Sequence, residues 1–226
     1  ALPARVHVVY GAHSPGDAVV NTVNNNHTMR LDLSEAQHWI APGSRVLDLG
    51  CGDGTFLKHL RDTKQVHGYG LEIGPEQINA CIEKGLNVIE HDLDLGLGNF
   101  ADGSFDTVVM AQALQTMNYP HVVLDEMLRV GKECIVTFPN FGHWKARLHL
   151  AFRGRMPVSD LLPYEWYDTP NIHFCTVRDF EILCAEKNIT VLHRQVVNEQ
   201  SSRRLKDLSP NLFGETAIYH LCRNGA

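Results

Sequence analysis

From Leu31 onward the apolar positions switch between two periods. Short β-type runs occupy residues 45–49, 66–72, 87–90, 105–110, 134–138, 189–196 and 216–222. Between most of them, apolar residues recur at helical spacing. Leu33, Ala36, Trp39 and Ile40 mark a helix over 31–40, and Phe56, Leu57 and Leu60 stripe the next. A third helix starts at Gly74-Pro75, where proline suits the first turn, and buries Ile78 and Ile82 before Gly85 ends it. Val123, Met127 and Val130 face inward from a helix over 120–130, and another helix covers 177–187. Strands alternating with helices predict an α/β domain: a Rossmann-like, mostly parallel seven-stranded sheet with helices on both faces. The last strand, 216–222, is expected to be antiparallel and to lie at the sheet edge.

Residues 1–28 break the pattern. They are rich in Gly, Ser, Pro and Asn and end in Asn24-Asn25-Asn26-His27-Thr28. They show neither the charge pattern of a secretory signal nor the Arg-rich amphipathy of a transit peptide. The expectation is an N-terminal extension, disordered or foreign to the folded unit, followed by one domain over 29–226.

Composition narrows the function classes. No run of about 18 apolar residues occurs, so no membrane-spanning segment is expected. A net charge of -6 argues against a general nucleic-acid binder. The six cysteines (Cys51, Cys81, Cys134, Cys175, Cys184, Cys222) include no C-x-x-C pair. They suit buried thiols in a reducing cytoplasm. There are 13 histidines but no H-E-x-x-H spacing, so no metal site is expected.

The chemistry is concentrated in Val46-Leu47-Asp48-Leu49-Gly50-Cys51-Gly52-Asp53-Gly54, an apolar strand entering a turn with alternate glycines. Such a turn lets the backbone approach a ligand and aims the amides of the following helix at it. A dinucleotide fingerprint would need a glycine at position 55, which is threonine; the pattern is instead D-x-G-x-G-x-G. That resembles motif I of the class I S-adenosylmethionine-dependent methyltransferases. Glu72, twenty residues beyond Gly52 at the end of the second strand, is placed to accept ribose hydroxyls, with Ile73 beside it. By the same resemblance, Asp92 and Leu93 after the third strand meet the adenine; Asp92 alternatively caps a turn. The candidate cofactor-binding set is therefore Asp48, Gly50, Cys51, Gly52, Gly54, Glu72, Ile73, Asp92, Leu93 and Gln112, for S-adenosylmethionine or S-adenosylhomocysteine.

No catalytic residue is evident. Amino-group methyltransferases often carry Asn/Asp-Pro-Pro-Tyr after the fourth strand, whereas this chain has Met110-Ala111-Gln112-Ala113-Leu114-Gln115. Methyl transfer still needs little more than an acceptor held in line. A second region, about 139–175, holds four basic residues and no acid between Lys145 and Arg155, then Pro163-Tyr164-Glu165-Trp166-Tyr167-Asp168-Thr169-Pro170. It is a lid, a docking face, or a braced loop covering the sheet end. His143 and His173 lie within it and are acid–base candidates or structural histidines.

Phe138-Pro139-Asn140-Phe141-Gly142-His143-Trp144, Gly154-Arg155-Met156-Pro157 and Leu162 through His173, taken with motif I, resemble the MetW family of methionine-biosynthesis proteins over roughly residues 29–197. The resemblance implies a class I methyltransferase-like fold in bacterial methionine synthesis, acting with a MetX-type homoserine O-acyltransferase and supporting its activity. Two functions follow. One is a cofactor-pocket subunit of that acyltransferase; the other is an active methyltransferase on a small-molecule acceptor. RNA binding through 145–155 is a third.

Overall fold

The computed structural model describes residues 29–159, 162–198 and 209–223. The expected extension at 1–28 lies outside the described residues. Seven strands form one sheet: β1 (Arg45–Leu49), β2 (His67–Glu72), β3 (Asn87–Glu90), β4 (Phe105–Ala111), β5 (Gly131–Pro139), β6 (Ile189–Val197) and β7 (Thr216–Arg223). Their order is β3-β2-β1-β4-β5-β7-β6, with β7 antiparallel to both neighbours and the other pairs parallel. The helices are α1 (Leu31–Ala36), α2 (Thr55–Lys64), α3 (Pro75–Glu83), α4 (Pro120–Val130), α5 (Trp144–Arg153) and α6 (Val177–Glu186). A further helical turn covers Pro210–Phe213.

Successive strand residues divide between two apolar cores, as the two-residue period of a strand requires. Leu47, Val108, Val136 and Tyr219 pack with α4 and α6 on one face. Val46, Val109, Ile135 and Ile218 pack with α1 and α2 on the other. The strands' near-continuous apolar character follows from this double burial.

Three expectations need correction. The strand at 216–222 is not at the edge: β7 lies between β5 and β6, and β6 is the edge strand. Ala217 through Tyr219 and Leu221 have no exposed surface, whereas β6 is exposed along most of its middle. The helix expected over 31–40 is α-helical only to Ala36 and tightens into a 3-10 turn over Gln37–Trp39. On α3 the inward residue is Cys81; Ile82 is exposed. Of the helical positions on α3 only Cys81 is fully buried, with Ile78 half-buried.

Candidate active site

The motif turn lies at the carboxyl end of β1, where parallel α/β sheets bind ligands. Gly50, Gly52 and Gly54 all have positive φ (+70°, +55° and +75°), a conformation that disfavours side chains. Their jobs differ. A Cβ on Gly52 would meet nothing within 4 Å, so this glycine faces open space. A Cβ on Gly54 would lie 2.4 Å from Leu86 Cδ1 and 2.8 Å from Cys81 Sγ, so that glycine lets α2 seat closely.

A cavity of about 300 Å³ opens here, lined by Asp48, Gly50, Cys51 and Gly52 with Arg30 and Phe56 among others. Asp48 is 3% exposed and makes no side-chain hydrogen bond among the described residues. Burial pushes its carboxyl up to about 7; the Arg30 charge opposes the shift and Glu72 adds to it. Cys51 lies 3.9 Å (Sγ–Sγ) from Cys81, and burial first, then the nearby carboxylate of Asp48, pushes its thiol up. Its sulfur packs against Cys81, and the raised pKa disfavours the thiolate that a nucleophile needs.

Glu72 closes the turn from the neighbouring strand. Gly52 N–H donates to its Oε2 at 2.8 Å, while Ile73 and Gly74 N–H donate to Oε1 at 2.9 and 3.1 Å. Three amides leave this carboxylate room for about one more donor. The acid therefore braces the turn as well as being available to a ligand hydroxyl. Ile73 is exposed beside it.

Gly54, Glu72, Ile73 and the remaining candidates are not among the residues that line that cavity. Asp92 Oδ1 accepts Asp94 N–H at 3.0 Å and caps a 3-10 turn, the alternative left open by the sequence. Leu93 is buried in the core with α4. Gln112 follows β4 with φ +60°, strained for a residue with a side chain. Its N–H donates to Thr137 O at 2.9 Å, and its own carbonyl accepts Gln115 Nε2 at 2.8 Å. Gln112 lines a second, larger cleft of about 680 Å³, between the β4, β5 and β7 ends and the segment after β5.

Arg30 lines both cavities. Its guanidinium donates twice to Asp32, at 3.1 and 2.6 Å, and Thr137 Oγ1 donates to Asp32 Oδ2 at 2.6 Å. Burial alone would raise the Asp32 pKa, but Arg30 and Thr137 outweigh it and hold the carboxyl below its ordinary value. This network was missed in the sequence; the one signal was an acid between Leu31 and Leu33 on an amphipathic helix.

Asn140, 0% exposed, anchors the segment after β5: its Nδ2 donates to Asn211 O and Gly214 O, and its Oδ1 accepts Gly142 N–H and Val177 N–H. Ile172 and His173 N–H both donate to Gln115 O at 3.0 Å, tying the far end of the segment to the β4 loop. His143 lines the cleft, is buried, and has no partner at Nε2; burial pushes its pKa down, so it is neutral near pH 7. His173 is exposed.

The family model described as "Methionine biosynthesis protein MetW" matches residues 30–221. The chain belongs to the MetW family. It is 34% identical over 206 residues to the bifunctional methionine biosynthesis protein MetXA/MetW of Rhodopirellula baltica, covering 87% of this chain and 33% of that protein. It is 33% identical over 163 residues to a demethylmenaquinone methyltransferase of Renibacterium salmoninarum, covering 63% of each. This MetW chain thus spans a third of the first of these relatives and less than two thirds of the second. Among solved structures, a Thermotoga maritima S-adenosylmethionine-dependent methyltransferase, described as a possible histamine N-methyltransferase, aligns with TM-score 0.58 at 18% identity, covering 85% of this chain and 87% of that one. The [4+2]-cyclase SpnF aligns with TM-score 0.59 at 17% identity, covering 84% and 79%. At such identities these likenesses concern the fold, which is that of the class I methyltransferases.

Proposed function

We propose that this MetW chain is a cofactor-pocket subunit that associates with a MetX-type homoserine O-acyltransferase in the cytoplasm and supports its activity. The observation carrying this reading is the family match over 30–221, together with a relative that joins MetXA and MetW in one polypeptide. Fusion keeps two modules at high effective concentration, which favours partners that work side by side. The unpaired state of all six cysteines suits a reducing compartment.

The cavity at the β1 end fits S-adenosylmethionine or S-adenosylhomocysteine. Gly52 leaves the backbone open to a ligand, and Glu72 retains acceptor capacity for a ribose hydroxyl. The buried Asp48 carboxyl, without a hydrogen bond of its own, suits the ligand's ammonium group. When bound, S-adenosylmethionine supplies a methyl group activated by its sulfonium centre. S-adenosylmethionine is also made from the product of methionine synthesis, so occupancy can report pathway output. It does so only if ligand affinity differs between the associated and free states.

The second reading, a small-molecule methyltransferase, is favoured by the 680 Å³ cleft. It shares Arg30 with the cofactor cavity and is lined by a neutral His143 whose Nε2 has no partner. The fold itself does not decide, since a neighbour of equal similarity is described as a cyclase.

Size-exclusion chromatography of the chain mixed with its cognate acyltransferase tests the first reading. Co-elution is expected. Separate elution at micromolar concentrations sinks it and moves attention to methyl acceptors in the cleft.

A further inference from the structure

Among the described residues, α5 is the only helix of eight or more residues with no buried side chain. A ten-residue helix is marginal in water and normally owes its stability to a packed face. This one has no side-chain cap at its N-terminus either. It nevertheless carries Trp144, Leu148, Leu150 and Phe152, the last 83% exposed. The first turn of α5 and Tyr164 line the same cleft, so the helix and the aromatic segment flank one end of the sheet. In that segment Trp166 and Tyr167 are 70% and 72% exposed and meet edge-to-face, with centroids 5.7 Å apart.

Charge distinguishes the occupants. Lys145 pairs with Glu215, but Arg147, Arg153 and Arg155 form no ion pair among the described residues. A second copy meeting this face through a two-fold axis beside α5 would set these arginines against each other. An anionic bilayer or RNA would meet Glu165 and Asp168, exposed on either side of Trp166-Tyr167. A folded protein surface can set an apolar centre against the aromatics, carboxylates against the arginines and donors against Glu165 and Asp168, which a uniformly anionic surface cannot. Trp, Tyr and Arg are also the residue types that dominate interface energetics.

We infer that α5 and Tyr164–Tyr167 form the face on which the homoserine O-acyltransferase docks, through an apolar patch that sets carboxylates opposite Arg147, Arg153 and Arg155. This rests on the association proposed above and names where it occurs. In the MetXA/MetW relative, a module similar to this chain makes up a third of a longer polypeptide, so the two named activities are held together in one chain.

The test measures affinity of the full chain for its cognate acyltransferase by isothermal titration. Phe152→Asp, Trp166→Ala and the pair Arg153→Glu/Arg155→Glu are compared with Ile82→Asp, an exposed apolar position on α3 far along the sheet. All these side chains are exposed, and unchanged circular dichroism and melting temperature confirm that each variant folds. Each of the first three is expected to weaken binding at least about tenfold while Ile82→Asp leaves it unchanged. Binding by the wild type that all four variants leave equally tight overturns the docking face and keeps the association. Absence of wild-type binding overturns both. Loss of self-association or of binding to anionic vesicles in the variants, at unchanged acyltransferase affinity, overturns the docking face in favour of those occupants.

Discussion

Asp48 is 3% exposed, carries no hydrogen bond among the described residues, and has its pKa pushed up to about 7 by burial, against an ordinary value of 3.8. Between those two values the folded chain holds a proton that the unfolded chain has released. The Asp48 contribution is therefore most favourable below about pH 4 and is lost as pH rises through about 7. Asp48→Asn is expected to melt higher than wild type at pH 8, by an amount worth up to ~4 kcal/mol, with the two converging below pH 4. Thermal melts of both proteins from pH 4 to 8 check this; a gap that does not change with pH would refute it. The buried carboxyl proposed to meet a cationic ligand thus weakens the fold as pH rises. Its type and place were legible from motif I. Its electrostatic setting was not, because Arg30 and Glu72 reach it only through tertiary structure. Glu72 is the converse: expected to serve a ribose, it also braces the glycine turn through three amides, so Glu72→Ala would disturb both functions at once.

At the scale of elements, the strand–turn–helix unit around Gly54 depends on the absence of one carbon. A Cβ there would lie 2.4 Å from Leu86 and 2.8 Å from Cys81, at a φ of +75°. Overpacking and left-handed strain add, so Gly54→Ala is expected to destabilise the fold by about 2–4 kcal/mol in urea denaturation. A change under about 0.5 kcal/mol would show that Leu86 and Cys81 yield freely. The motif spacing announced this unit because its glycines are local necessities. Sheet order was legible only in part. The run Ala217-Ile218-Tyr219-His220-Leu221 is too continuously apolar for an edge, and β6, with its exposed middle, has the edge character instead. On α3, helical spacing offered Ile78 and Ile82 as the buried pair, but the close seat at Gly54 turns Cys81 inward. The left-handed Gln112 and the buried Asp32 left no clear sequence signal, since both are held by Thr137 from a strand more than twenty residues away.

For the whole molecule, an acidic chain with a cavity at the β1 end carries a basic, aromatic face around α5 on which the described residues leave no side chain of that helix buried. Membership of the MetW family and the fused MetXA/MetW relative give that arrangement its context. The measurement that tests the account most directly is the rate of the cognate homoserine O-acyltransferase, titrated with this chain. The account predicts a saturable rise in rate that reaches its plateau as the complex forms. A rate unchanged at every concentration, with no complex detected, would contradict it.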